Sequence, residues 1–353
     1  MGFTLPCISS ALVYVRLGTQ QDEVVRLFTN MGLTIVDIRQ AEQRIKSYVS
    51  ETPVMTSRRM DAQAGCNLFF KCELFQRTGS FKFRGAVNFL AKMRETMENG
   101  RVPCVVTISS GNFAQGLALA SNLLNTKAYV IMPNTAPKCK QNAVKEYGAD
   151  VILSSPTLQA LFKARDQVVQ KTGAVYVPSA QHYDVMAGQG TLCTEMIEMI
   201  DQKLDAIIVP VSGGGMLAGV LIAAKSLQPG IQVIAAEPEV ADDCCKSFVA
   251  KRHIKTDSLP FTIADGLRGS IGDLAWPIAR DLLDGGITVT EDEIKESTKL
   301  VWQCMKLCIE PSAGVGVAAV MSDKFKAAFP DVKNVGIILC GGNIDLDSMK
   351  TWL

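Results

Sequence analysis

Histidine is almost missing from this chain: among 353 residues only His182 and His253 occur. A three-histidine zinc site is therefore excluded, and neither histidine stands in a motif that pairs it with a nucleophilic serine. Cysteine is not scarce, but its patterning is. Eleven are present, no C-x-x-C occurs, and the adjacent Cys244 and Cys245 cannot easily bridge each other. An odd number of scattered thiols reads as a reduced, cytoplasmic protein. An excess of one charge is also lacking: 36 basic against 35 acidic side chains leave +1. That balance gives no general attraction to nucleic acid or to an anionic membrane. No apolar run reaches the roughly 18 residues that span a bilayer.

What is present is an ordinary globular composition, 48% apolar and 20% charged, at a length that predicts two domains. The first residues, "MGFTLPCISSALVYVRLG", lack a basic stretch ahead of the apolar part and carry Pro6 where myristoylation needs Ser or Thr. They read as neither signal nor anchor. Organised sequence begins at Met31, so residues 1–30 read as an extension, poorly ordered. Thr34 and Asp37 have capping-box spacing before an apolar face of Ile35, Ile38, Ala41, Ile45 and Val49. "NLFFKCEL" reads as a strand, and a helix follows Ser80 to about Asn99.

Strand and helix patterns then alternate. The strands are "CVVTI", "AYVIM", "VIL" and "AVYV", with three helices between them, which predicts a small parallel sheet with right-handed crossovers. The pattern restarts with a helix at 188–201 and the strand "AIIVPV". "IQVIAAEP", helices near 291–308 and 313–328, and the strand "VGIILC" complete it. The fold class is α/β, with two parallel-type sheets.

Ligands of open α/β sheets bind beyond the carboxyl ends of strands. Three such ends carry small polar residues. "CVVTISSGNFAQG" leads through Ser109, Ser110, Gly111 and Asn112 into a helix, and suits either an anion or an ordinary N-cap. "IIVPVSGGGMLAG" leaves the amides of Ser212 to Gly215 bare before a helix, which favours a phosphate cradle over a tight turn. "VGIILCGGNID" ends its strand on Cys340, by default a small core residue. Lys82 adds a fourth feature. It lies between Phe81 and Phe83 in "RTGSFKFRGA", where partial burial of the rings would make its charge costly.

Together with "NLFFKCELFQRTGSFKFRGA", "AGQGT", "AAEPEVADDC", "TIADGL", "VTEDEIK", "IEPSAGVGVAAV" and "CGGNIDL", these motifs resemble the fold-type II pyridoxal-phosphate enzymes, in that family's order. Within it they are most similar to the eukaryotic serine racemases, then to the serine/threonine dehydratases. The resemblance runs from about Met31 to the C-terminus. It implies a tryptophan synthase β-like fold with a large domain over 31–103 and 183–353, a small domain over 104–182, and the active site between them.

The resemblance also implies roles. Lys82 would carry pyridoxal 5'-phosphate as a Schiff base, its amine kept neutral by desolvation. Ser212, Gly213, Gly214 and Gly215 would hold the phosphate, with Met216 continuing the turn. Asn112 would meet the phenolic oxygen, Phe81 and Gly266 would line the ring, and Cys340 would face the pyridine nitrogen. Ser109, Ser110, Asn112 and Phe113 would meet the amino-acid substrate. Racemisation needs a base on each face of the α-carbon; Lys82 and Ser110 would supply them. Glu237, Asp243 and the Ala241 carbonyl would bind Mg²⁺ or Ca²⁺. Arg77, Gln115, Lys306 and Asn343 stand where the racemases bind an activating ATP between the subunits of a homodimer.

Departures cluster around the substrate. The family's His-Gly after "SSGN" is Phe113-Ala114 here, a family serine in the "ADG" segment is Gly269, and Arg77 replaces a lysine. Cys340 leans toward dehydration, because a thiol is a weak donor to the ring, while Ser110 leans toward racemisation. The expectation is a serine racemase that also dehydrates serine. The alternatives are a serine/threonine dehydratase, or a racemase of another amino acid such as aspartate. An oxidoreductase would leave Lys82 and Cys340 without a role, and a non-catalytic cofactor binder would have no use for both Lys82 and Ser110.

Overall fold

Thr34 starts the first helix as its spacing predicts. Its hydroxyl caps the Asp37 amide, and the Asp37 carboxylate accepts from the Thr34 amide at 2.9 Å. The computed structural model describes residues 32–256, 260–347 and 349; the extension assigned to residues 1–30 lies outside them. In chain order, α1 (Ile35–Ile45), β1 (Val54–Met55), α2 (Arg58–Ala64), β2 (Asn67–Cys72) and α3 (Lys82–Thr96) come first. β3 (Val105–Ile108), α4 (Asn112–Leu123), β4 (Ala128–Pro133), α5 (Lys138–Glu146), β5 (Asp150–Ser154), α6 (Leu158–Thr172) and β6 (Val175–Tyr176) follow. Next are α7 (Tyr183–Met199), β7 (Ala206–Pro210), α8 (Gly215–Leu227), β8 (Gln232–Pro238) and α9 (Asp243–Ala250). α10 (Ala275–Leu282), β9 (Gly285–Val289), α11 (Glu291–Met305), α12 (Pro311–Met321), α13 (Asp323–Ala328) and β10 (Asn334–Leu339) complete the chain.

Two sheets result. The larger has the order β1-β2-β10-β7-β8-β9 and is parallel except for the antiparallel β1–β2 pair at its edge. The smaller, β5-β4-β3-β6, is wholly parallel. Expected strands and helices appear with ends shifted by a few residues. α7 begins ahead of residue 188 because His182 caps it: the Asp184 amide donates to Nδ1 at 3.1 Å. The single helix expected over 313–328 is two, because the Ser322 hydroxyl accepts from the Phe325 amide at 3.1 Å and opens α13. β9 went unforeseen because it opens on Gly285-Gly286, which reads as a turn signal.

The glycines of "AGQGT" explain how the helices meet. A Cβ at Gly188 would lie 2.6 Å from the Arg84 carbonyl, and one at Gly190 3.0 Å from the Gly219 carbonyl. α7 therefore packs backbone to backbone against both α3 and α8. Phe81 and Phe83 are buried in different cores, the first around the larger sheet, the second with α4 and β4 on the smaller. Burying each ring contributes about 2 kcal/mol, so Lys82 is anchored from both sides.

Candidate active site

The ends of β3, β7 and β10 and the start of α3 surround one cavity of about 790 Å³. Stitching between β10 and the segment before α3 brings Lys82 there. Ser80 and Gly341 form a β-bridge, the Phe81 amide donates to the Cys340 carbonyl at 3.1 Å, and the Gly342 amide donates to the Gly79 carbonyl at 2.9 Å. Gly79 has φ +73°, and a Cβ there would strike the Asn343 side chain at 2.5 Å. Behind Lys82, Arg84 is 1% exposed and locks the first turn of α3. Its guanidinium donates two hydrogen bonds to Glu73, both 2.8 Å, and two to Glu195, 2.9 and 3.0 Å.

Lys82 Nζ lies 5.0 Å from the Phe81 ring centroid and donates to the Ser179 carbonyl at 3.3 Å. Burial lowers its pKa to about 8, against the opposing influence of Cys340 and Glu310. Cys340 is buried, and burial first, then the Glu310 charge, pushes its thiol well above the usual range. It is a neutral, weak donor at physiological pH.

The β3 end opens differently. The Ser109 hydroxyl accepts from the Gly111 and Ala114 amides, at 3.4 and 3.2 Å, so it holds a first-turn amide of α4 from outside the N-cap residue, Gly111. Ser110 is exposed to the cavity, and its hydroxyl makes no hydrogen bond among the described residues. Asn112 donates to Glu310 Oε1 at 2.7 Å and accepts from Asn343 at 2.8 Å. Phe113 borders the cavity, yet it is 2% exposed and packs in the core with Phe83.

At the β7 end, Gly214 has φ +81°, a left-handed backbone that glycine adopts without strain. The amides of Ser212, Gly213, Gly214 and Gly215 donate to nothing among the described residues, and α8 starts immediately after. Four free amides at a helix N-terminus, opening on a cavity, fit a phosphate group. Met216 continues that wall, and Gly266 lies across from it. Only glycine suits position 266: a Cβ would lie 2.9 Å from the Ser312 hydroxyl, which already holds the Gly266 amide at 3.0 Å.

Residues 45–341 match the family described as pyridoxal-phosphate dependent enzyme. The chain belongs to this family. It is 46% identical to serine racemase of Rattus norvegicus over 90% of this chain and 95% of that one. A solved pyridoxal 5'-phosphate-dependent aspartate racemase superposes with TM-score 0.85 at 38% identity, covering 90% of this chain and 98% of that one. A solved threonine deaminase of T.th. superposes with TM-score 0.82 at 35% identity, covering 89% and 99%. The fold is thus the fold-type II arrangement that the sequence motifs implied. Pyridoxal phosphate is the family's cofactor, and the free amides together with an amine of lowered basicity fit it.

Sequence reading missed part of this site. Glu310 is 2% exposed; burial, reinforced by the Asp265 charge, raises its pKa to about 7, and its Oε2 has no hydrogen-bond partner among the described residues. Its only signal was an acidic residue in the apolar stretch "LCIEPSAGV". Lys140, on α5, and Asp265 form an ion pair at the cavity wall that no local pattern announces.

The expected cation ligands lie at the end of β8. Glu237 is 1% exposed and accepts from the Cys244 and Cys245 amides at 3.2 and 2.8 Å. Burial raises it to about 8, and the Asp243 charge adds to this. Asp243 is 2% exposed and accepts from the Ile271 amide at 2.8 Å; Ala241 is buried beside them in sequence. Two buried carboxylates and a carbonyl are an oxygen-only donor set that fits a hard cation. Among the described residues, no cluster of three His, Cys, Asp or Glu side chains stands together.

None of the four expected nucleotide residues lines the cavity. Gln115 is buried in α4, and Asn343 is held between Thr78 and Asn112. Arg77 and Lys306 are exposed, donating to the Tyr48 and Gln303 carbonyls.

Proposed function

We propose that this enzyme interconverts L- and D-serine and also eliminates water from serine, the released aminoacrylate being hydrolysed to pyruvate and ammonia. The observation that carries the reading is that Lys82, weakened as a base, and Ser110, with a free hydroxyl, open on the same cavity from different elements. Bound pyridoxal phosphate supplies an electron sink that acidifies the α-proton of an amino acid. Lys82 Nζ removes that proton from one face, and Ser110 Oγ delivers or removes it on the other. Loss of the β-hydroxyl after proton removal by Lys82 leads to the keto acid instead. The neutral Cys340 thiol would be a weak donor to the ring, which gives the placing of these two groups more weight. Ser212–Gly215 would hold the phosphate, Asn112 would meet the phenolic oxygen, and the amides at the start of α4 would take the substrate carboxylate.

The same reading includes Mg²⁺ or Ca²⁺ at Glu237, Asp243 and the Ala241 carbonyl. It also includes a homodimer, with ATP at Arg77, Gln115, Lys306 and Asn343. The ten described cysteines are all unpaired, which supports a cytoplasmic location. No described helix is long and apolar enough to cross a membrane.

A second reading, aspartate racemisation, is favoured by Arg268. It lines the cavity and pairs with no carboxylate among the described residues; its Nε donates to the Pro260 carbonyl at 2.9 Å and the guanidinium lies 6.0 Å from the Phe261 ring centroid, which leaves its terminal nitrogens for a second substrate carboxylate. The deciding assay supplies L-serine, L-threonine and L-aspartate and measures both enantiomer and keto acid. Ser110→Ala is expected to lower serine racemisation by about 10²-fold or more and to spare dehydration of L-serine. Equal loss of both activities sinks the two-base assignment.

A further inference from the structure

We propose that the Ser212 side chain, apart from its amide, is a positioning residue that clamps the 265–270 segment to the phosphate cradle, with Gly269 as its required partner. The inference rests on the cofactor reading above. Ser212 Oγ accepts from the Gly269 amide at 3.2 Å and donates to the Gly269 carbonyl at 3.3 Å. One hydroxyl thus satisfies both backbone groups of a single residue across a separation of 57 positions. A Cβ at Gly269 would lie 3.2 Å from the same oxygen, tighter than ordinary van der Waals contact. Serine at 212 and any side chain at 269 therefore compete for one space.

The pairing also gives one of the departures around the substrate a physical meaning. At Gly269, which has no side chain, the Ser212 hydroxyl reaches the backbone from the cradle side. A second contact reinforces the joint: the Gly272 amide donates to the Gly213 carbonyl at 3.4 Å. The clamped segment carries Gly266, Arg268 and Asp265, the partner of Lys140. Holding a phosphate on the amides of 212–215 consequently fixes one wall of the cavity as well. Ser212 does this without touching the reacting atoms.

The test titrates apoprotein with pyridoxal 5'-phosphate and, separately, with pyridoxal, following the visible band of the lysine-bound form. Loss of two hydrogen bonds in Ser212→Ala is expected to weaken pyridoxal phosphate about tenfold and to leave pyridoxal, which has no phosphate, unchanged. Ser212→Thr, which keeps the hydroxyl, retains native affinity. Gly269→Ser alone weakens the phosphate form, and Ser212→Gly with Gly269→Ser restores most of the loss. The proposal is overturned if Ser212→Ala binds pyridoxal phosphate as the native protein does. It is overturned equally if pyridoxal and its phosphate weaken together, or if the double variant is no better than Gly269→Ser. Native protein that gives no visible band with pyridoxal phosphate refutes the cofactor reading instead, a result distinct from each of these.

Discussion

Two lysines face the cavity, and their surroundings treat them differently. Lys82 comes from the start of α3, and no carboxylate pairs with it among the described residues; burial therefore lowers its pKa to about 8. Lys140 comes from α5, beside the smaller sheet. Burial lowers it too, but the charge and hydrogen bond of Asp265 outweigh burial and hold it above its ordinary value. The same cavity thus keeps one amine near neutrality and the other firmly charged. What separates them is the placement of a single carboxylate. Lys71 in the core marks the limit of that effect: wholly buried, it is held by Glu195 at 2.5 Å and the Thr52 carbonyl at 2.6 Å, yet burial still lowers its pKa.

The comparison breaks most visibly on removing Lys82. Lys82→Ala is expected to lose the visible band of the bound cofactor and about 10³-fold or more of both racemase and dehydratase rates. A retained band would move the cofactor-binding role to another amine, with Lys140 the obvious rival. The protonation of Lys82 gives a graded version of the same test. Cofactor uptake by apoprotein should quicken as pH rises through about 8, because the neutral amine is the reactive form. The linkage runs in the same direction. The unfolded chain, with an ordinary lysine near 10.5, binds more protons than the folded one between about 8 and 10.5. This group therefore adds stability as pH rises across that window. Denaturant midpoints of native protein and Lys82→Met, compared across it, isolate the contribution; parallel curves would contradict the lowered basicity.

Phe113 tests the other side of the cavity, and here the expected effect is on stability. Because the ring is 2% exposed and packed with Phe83, Phe113→His buries an imidazole among apolar groups at a cost of about 2 kcal/mol. Thermal melting should fall clearly, while the preference among serine, threonine and aspartate shifts little. A changed preference at unchanged melting would return Phe113 to the substrate contact that the sequence motif suggested.

The strand ends were legible because their chemistry is local. A run of glycines between a buried strand and a helix, or Ser-Ser-Gly-Asn in the same setting, leaves backbone amides bare by its own residue types. Lys82 was legible for a similar reason, a charge between two rings. Contacts between distant positions were not. Lys140 meets Asp265 across 125 positions and Asn112 meets Glu310 across 198. The Arg84 fork joins Glu73 and Glu195 from two other elements. Nothing in a window around any of these residues says that its partner exists. The division of labour at "SSGN" was also invisible: two adjacent serines look equivalent, yet one hydroxyl is taken by the Gly111 and Ala114 amides and only the other makes no hydrogen bond among the described residues. Likewise His182 reads as a spare histidine until its ring is seen accepting the Asp184 amide.

A smaller effect is expected at Lys140. Lys140→Met removes an ion pair whose Asp265 side chain is 47% exposed. A pair with one partner so open to solvent is worth about 1 kcal/mol or less, so kcat/KM should fall about two- to fivefold, with the visible band intact. Loss of the band would erase the distinction between the two lysines.

Cys340→Ser is expected to do least. The thiol is buried beside Lys82 and Glu310, and burial and the Glu310 charge hold it neutral against the pull of Lys82, so it remains a weak donor. A hydroxyl in its place is also neutral and is somewhat the better donor. The balance between racemisation and dehydration should therefore move toward racemisation by no more than about threefold, a few tenths of a kcal/mol, with the pH dependence of cofactor uptake unchanged. A larger change, or a displaced pH profile, would show that the thiol sets the basicity of Lys82. In that case the contrast between the two lysines would rest on Cys340 as much as on the carboxylate that Lys82 lacks.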